Sequence, residues 1–205
     1  MRIPTVALFS AMFLLPVVSG DAVGLTWALG PSDIYGVGGL DVTIPGSEFD
    51  VFSAITDPFG GSISFTGDVQ HFIVGSSWST WSHGYVGSIF SPANSASSIR
   101  LDFDEPVTAF GFYAQPNVQD WFDITLGLSD GSADTKNIHG LAGAEFFGFY
   151  DASVDWLEIN SNPSAEGFAF GEMVMARDVG AVPEPGTMML LGSGLLGFAL
   201  FRKRN

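Results

Sequence analysis

The sequence predicts an all-β fold, a two-sheet sandwich, from three observations. Apolar and polar residues alternate with a period of two in Ile63-Ser64-Phe65-Thr66, Ile99-Arg100-Leu101-Asp102-Phe103 and Ile124-Thr125-Leu126-Gly127-Leu128, the pattern of strands buried on one face. Turn-forming clusters punctuate the chain: Asp57-Pro58-Phe59-Gly60-Gly61, Glu105-Pro106, Ser129-Asp130-Gly131-Ser132 and Asn160-Ser161-Asn162-Pro163. No long run of the middle segment has helical spacing, and short strands with turns at such intervals build sandwiches.

The chain opens on Met1-Arg2, a positive charge, then the nearly unbroken apolar run Thr5 to Val18 and the small residues Val18-Ser19-Gly20. That order is the grammar of a secretory signal peptide, residues 1–20, cut by signal peptidase after Gly20, with Ala22 as second choice. The run is short and broken by Pro16, which weighs against an uncleaved anchor. Residues 21–181 then form one domain of about 160 residues, long enough for a sizeable core. Only Glu184 of the 22 acidic residues lies beyond Val182, so this segment carries 21 against the bases Arg100, Lys136 and Arg177, an excess of 18 negative charges. Such a balance repels nucleic acid and anionic lipid, and it favours cations or neutral sugars as partners. The lack of cysteine excludes disulfides, thiol nucleophiles and zinc-thiolate sites, so packing must hold the domain.

Ile124 to Leu128 and a partner near Thr135 to Ile138 are expected to form a hairpin through Asp130-Gly131, a pair suited to a type I′ turn. Val154-Asp155-Trp156-Leu157-Glu158-Ile159 reads as a strand with one slip in its alternation. Phe110-Gly111-Phe112-Tyr113, Phe147-Gly148-Phe149-Tyr150 and Phe168-Ala169-Phe170-Gly171 each set aromatic rings around a small residue, as expected of core strands that let a ring or backbone approach closely.

Catalytic signals are sparse. His71, His83 and His139 lack paired zinc spacing, and neither a Gly-x-Ser-x-Gly elbow nor a phosphate-cradling glycine loop occurs. No catalytic residue is assigned, and the domain is expected to be non-enzymatic. Asp102, Asp104 and Glu105 cluster at a strand end and are the candidate calcium ligands, with Asp130 and Asp134 as a second group; the alternative is strand-face solvation and turn capping. No other cofactor is implied. The most site-like stretch runs from Gly75 to Tyr85, where Trp78, Trp81, His83 and Tyr85 sit among small hydroxyl residues. Exposed rings there would stack on sugar faces while His83 and the hydroxyls hydrogen-bond, making these the candidate saccharide-binding residues. The alternative is that Trp78 and Trp81 fold back to cap one end of the sandwich. Trp121 and Trp156 fall in strand settings of the core or sheet surface.

Residues 182–205 are organised separately. In Val182-Pro183-Glu184-Pro185-Gly186 the prolines hold the backbone extended and unpaired, a form that suits an enzyme cleft. The 14 apolar residues Met188 to Phe201 would span about 21 Å as a helix against a hydrocarbon core of about 30 Å, so a short transmembrane helix over 187–201 fits transient insertion. Arg202, Lys203 and Arg204 form a basic stop that snorkels and stays cytoplasmic, placing the domain across the membrane.

Motif, span and basic tail in this order resemble the PEP-CTERM sorting domain of Gram-negative bacteria. The resemblance implies recognition at Pro183, Glu184 and Pro185 and cleavage by exosortase, a membrane enzyme, through an inner-membrane intermediate to the cell surface or extracellular matrix. The succession Leu101-Asp102-Phe103, Pro106 to Phe112, Ser129 to Ser132, Phe146 to Phe149 and Gly167 to Phe170 is similar to the jelly-roll-like ectodomains often joined to this tail. Where those read Gly-Phe-Ala, an aliphatic residue and Asp, this chain has Phe170-Gly171-Glu172. The function expected is that of a non-enzymatic surface or matrix protein, a biofilm-matrix component contacting extracellular polysaccharide. A carbohydrate-active enzyme on the same scaffold and a purely structural surface protein are the alternatives.

Overall fold

Alternation, turns and buried aromatic runs resolve into twelve strands and one short helix across residues 24–178, the part of the chain that the computed structural model describes. In chain order these are β1 (Thr26–Trp27), α1 (Pro31–Gly36), β2 (Leu40–Asp41), β3 (Val51–Thr56), β4 (Ser62–Ile73), β5 (Ser88–Pro92), β6 (Ser98–Val107), β7 (Ala109–Pro116), β8 (Trp121–Leu128), β9 (Ala133–His139), β10 (Glu145–Tyr150), β11 (Val154–Ser161) and β12 (Phe168–Ala176). The signal peptide with Gly20, the sorting motif Pro183-Glu184-Pro185, the apolar span 187–201 and Arg202-Lys203-Arg204 lie outside the described residues. Among the described residues, no helix is long and apolar enough to cross a membrane.

One leaf runs β5-β12-β7-β10 and the other β6-β11-β8-β9, with antiparallel neighbours throughout. Eight strands alternating between two four-stranded leaves in this order are a jelly roll. β4 joins the leaves. Its first part pairs Ile63 to Phe65 with β6, its last part pairs Val69 to Ile73 with β5, and between them it bends at Gly67, φ +124°. The sandwich is therefore one continuous sheet curled upon itself.

The leaves are buried differently. β8 and β11 alternate between buried and part-exposed residues, whereas β7, β10 and β12 are buried almost without a break. Between the leaves, Phe90, Phe110, Phe112, Phe147, Phe149, Phe168 and Phe170 are fully buried, with Phe112 and Phe147 stacked at 5.6 Å. Gly111 and Gly148 face each other across β7 and β10, and the Phe146 ring lies over both so closely that a Cβ on either would collide with it. This is the close approach anticipated for the Phe-Gly-Phe segments.

Two local expectations change. Of the Asp130-Gly131 pair only Gly131 has positive φ, +88°, so the hairpin turn is not type I′. Gly131 N–H bonds Leu128 O, Leu128 N–H bonds Ser132 O, and Asp130 Oδ1 accepts from Ser132 N–H, the pattern of a tight turn followed by a glycine bulge. The expected slip in the 154–159 strand appears as a register shift between Val154 and Trp156.

The last strand is clamped where it leaves the sheet. The Arg177 side chain, 6 % exposed, donates to the Asp57 carboxylate, whose side chain is fully buried, at 2.8 Å and to Asp104 at 2.9 Å, and its guanidinium lies 6.0 Å from the Phe59 ring centroid. Asp57 in turn accepts from the N–H groups of Phe59 and Gly61, which fixes the 57–61 turn. Arg177→Ala leaves Asp57 buried without its cation, and denaturant unfolding is expected to show a loss of about 3–5 kcal/mol. A loss under about 1 kcal/mol would place the pair with exposed ion pairs instead.

Candidate functional site

The outer face of the β5-β12-β7-β10 leaf is apolar and carries two covers. α1 and the 28–34 segment lie over Ala109, Phe146 and Val174, with Ile34 fully buried among them. The 74–87 loop folds over Ile89 and Ala169 through Val74, Trp78 and Trp81. An open groove of about 420 Å³ is lined by Tyr35 of α1, Asp41 of β2 and Thr43 after it, Tyr85 of the 74–87 cover, and Glu172 and Met173 of β12.

Glu172 is the organising group. It sits at a register shift of β12, between Gly171 and Val174, with φ +51°, a left-handed conformation that strains any side chain bearing a Cβ. Its Oε1 accepts from Trp81 Nε1–H at 2.7 Å, and its Oε2 lies 3.0 Å from His83 Nε2. Ser82 Oγ is 2.8 Å from His83 Nδ1; with the hydroxyl donating there, the Nε2–H donates to Glu172. The His83 ring also packs on Tyr113, centroids 4.6 Å apart. Asp41 accepts from the Tyr35 hydroxyl. Among the described residues, no lysine or arginine pairs with either carboxylate.

The resulting negative field reaches three phenols. The hydrogen bond to Asp41, then burial and the charges of Asp41 and Glu172, push Tyr35 up to about 12. Burial and then Glu172 push Tyr85 up to about 12, and the same two causes raise Tyr113.

Several expectations are corrected here. Trp78 and Trp81 are 8 % and 6 % exposed, so their rings face the leaf and form no open stacking platform. The rings fold back instead, the alternative weighed above, because the covered face is itself apolar and they bury it. The segment is also divided: Trp81, His83 and Tyr85 gather near Glu172, while Trp78 lines a second depression with Phe72 and Asn94. The proposed calcium ligands do not converge. Asp102 pairs with Arg100 at 2.8 Å, whereas Asp104 and Glu105 turn to Arg177 at 2.9 and 3.6 Å. Desolvation acts to raise Asp104, but the Arg177 hydrogen bond, the Ser62 and Glu105 N–H groups and the Arg177 charge outweigh it and hold that carboxyl below its ordinary range. Asp130 accepts from Ser132, and Asp134 lies 3.9 Å from Lys136. Among the described residues, no three histidine or carboxylate groups are placed to hold a metal. His71 is in the core beside Phe90, and His139 stands against the exposed Trp121 at the far strand pair. Tyr35, Asp41 and Glu172 carry no sequence motif; the left-handed backbone that exposes Glu172 is a tertiary property.

The protein-family description "PEP-CTERM protein-sorting motif" matches residues 181–204. The chain thus carries the signal of an exported protein sorted through exosortase, a membrane enzyme, to the cell surface. No curated protein matches. Among solved structures, the third CBM32 module of a family 31 glycoside hydrolase from Clostridium perfringens is similar at 14 % identity and a TM-score of 0.27, covering 44 % of this chain and 75 % of that one. The enzymatically active domain of tailspike protein 4 from bacteriophage CBA120 is similar at 16 % identity and a TM-score of 0.28, covering 57 % of this chain and 19 % of that one. At those scores neither likeness adds to the jelly-roll assignment, which rests on strand order.

The raised phenols carry a pH dependence. In the unfolded chain a tyrosine ionises near pH 10, so the stability due to Tyr35 and Tyr85 is complete below about pH 10 and is lost as pH climbs to about 12. Denaturation midpoints are expected to fall across that window, and Asp41→Ala, which removes acceptor and charge beside Tyr35, should flatten the fall. An unaltered slope in the variant would show that Asp41 does not hold the phenol.

Proposed function

We propose that this exported protein is a non-catalytic surface or matrix module whose groove binds a neutral extracellular polysaccharide. The groove carries the reading: Tyr35 and Tyr85, one from each cover, line an open cleft together with the carboxylates of Asp41 and Glu172. Aromatic faces suit the C–H faces of sugar rings, and carboxylates accept hydrogen bonds from neighbouring hydroxyls. Its volume, about 420 Å³, falls within the roughly 300–1,000 Å³ of small-ligand clefts. The acidic balance of the domain disfavours anionic polymers.

The occupied carboxylates support a binding role over hydrolysis. A glycosidase needs one carboxyl free to protonate the leaving oxygen and a second to attack or activate water. Both oxygens of Glu172 are engaged by Trp81 and His83, and Asp41 holds Tyr35.

Two measurements test this. Native protein titrated calorimetrically against the producing cells' neutral polysaccharide should bind, Tyr85→Ala should weaken binding about tenfold, and alginate should not bind. Release of reducing ends that disappears in Glu172→Gln would overturn the reading in favour of an enzyme. Intact mass of cell-surface protein should show a tail removed near Pro183-Glu184-Pro185. The tail should be retained in a strain lacking exosortase and in the Glu184→Ala variant; retention in the unmodified strain would remove the sorting step from the proposal.

A further inference from the structure

Two carboxylates line the groove, Asp41 and Glu172, and its lining holds neither lysine nor arginine. Their charge reaches the walls. The hydrogen bond to Asp41, burial and the two charges raise the Tyr35 phenol, and burial with the Glu172 charge raises those of Tyr85 and Tyr113. Phenols on α1, the 74–87 cover and β7 thus report one negative field. Fixed charges of one sign in a cleft with apolar walls concentrate that field and attract a mobile charge of the opposite sign.

The hydrogen bonding leaves one acceptor open. Glu172 has both oxygens engaged by Trp81 and His83 and acts through its charge, whereas Asp41 takes the Tyr35 hydroxyl on Oδ1 and, among the described residues, has no partner on Oδ2. One open oxygen poorly serves a divalent ion that seeks about six to eight, and among the described residues no three histidine or carboxylate groups converge on one. It suffices for an ammonium, a single charge with three donors that also settles against aromatic faces. Ring faces are at hand: Tyr35 is half exposed, and the Tyr85 ring stands 6.4 Å from those of both Trp81 and His83. On a saccharide an ammonium is the free amino group of a hexosamine, whose C–H face matches the same rings.

We infer that the groove takes a hexosamine unit bearing a free amino group, its ammonium on Asp41 Oδ2 and within the field of Glu172, carried by an otherwise uncharged chain. This rests on the polysaccharide reading and narrows it to the unit that occupies the groove. Its distinguishing mark is a preference for the amine over the hydroxyl and acetamide counterparts, so it can fail while the reading stands.

The test titrates the full chain calorimetrically, in polyoxyethylene detergent micelles, with chitotetraose, which has free amines, tetra-N-acetylchitotetraose, which has amides, and cellotetraose, which has hydroxyls. Runs at about pH 6 and about pH 9 lie either side of the roughly 7.7–8.0 of an α-amino group, whose electron-withdrawing neighbours a sugar amine shares. At the lower pH chitotetraose should bind about three- to tenfold tighter than either neutral ligand, and the margin should vanish at the higher. Asp41→Asn keeps an acceptor for Tyr35 while removing the charge; in it and in Glu172→Gln the margin should close. Asp123→Asn, on β8 of the opposite leaf, should keep it. Neutral ligands that bind with no margin for the amine overturn the inference and keep the groove. A margin that persists in Asp41→Asn and Glu172→Gln, or that Asp123→Asn also removes, comes from the general acidity of the domain and overturns it too. Binding of chitotetraose alone, lost in both groove variants, upholds the ammonium site and overturns the neutral-sugar reading. If none of the three binds, both fail.

Discussion

The leaf built from β5, β12, β7 and β10 presents apolar side chains on both faces, and this demand for double burial governs the rest of the molecule. Its inner face is satisfied by the opposite leaf through the phenylalanine core. Among the described residues, no second sheet covers its outer face. A sheet apolar on both sides must be covered on both sides or become an exposed patch. The chain meets this with the two segments that the jelly-roll topology leaves free, the α1 region before the first long strand and the 74–87 connection between β4 and β5.

Two covers on one face leave margins, and the depressions lie at them. The groove lies at the covers' margins, where the Tyr85 ring belongs partly to the 74–87 cover packing and the Tyr35 ring of α1 stays half exposed. Its floor would be ordinary apolar sheet had β12 kept register. The shift around Glu172 instead turns a carboxylate outward, and that carboxylate then ties Trp81 and His83 down, so one strained residue both makes the groove polar and fastens its wall. Stability and the polarity of the groove are coupled there. A backbone conformation with a steric penalty persists because two hydrogen bonds to a charged acceptor offset it.

The same asymmetry decides what could be read from the sequence. Strands of the β6-β11-β8-β9 leaf have one wet face, so Ile99 to Phe103, Ile124 to Leu128 and Val154 to Ile159 alternate and were legible down to the register slip near Trp156. Doubly buried strands lose alternation, and only the Phe-small-Phe segments betrayed β7, β10 and β12. Helix α1 is six residues long and starts at Pro31, too short to show periodicity. Composition singled out the 75–85 stretch, yet whether Trp78 and Trp81 face solvent depends on what lies beneath them, which no local pattern encodes. Tyr35 and Asp41 are brought to Glu172 across more than 130 residues of sequence, and the carboxylates at 102–105 have partners set by Arg100 and a distant Arg177.

Arg177 also fixes the strand that leads toward the sorting signal. The motif begins at residue 181, three residues after the last described position, and β12, which leads to it, lies between β5 and β7 and also pairs with β2. Traction on the tail during membrane retention or cleavage therefore pulls on an interior strand, whose loss would open both the core and the groove floor. The buried pair with Asp57, fixed by the 57–61 turn and backed by Asp104, transfers that load to β3, β4 and β6 on the opposite side of the curl. The exit strand is thus anchored to a different leaf at Arg177, five residues downstream of Glu172, so the same clamp that ends β12 steadies the strand that carries the groove floor.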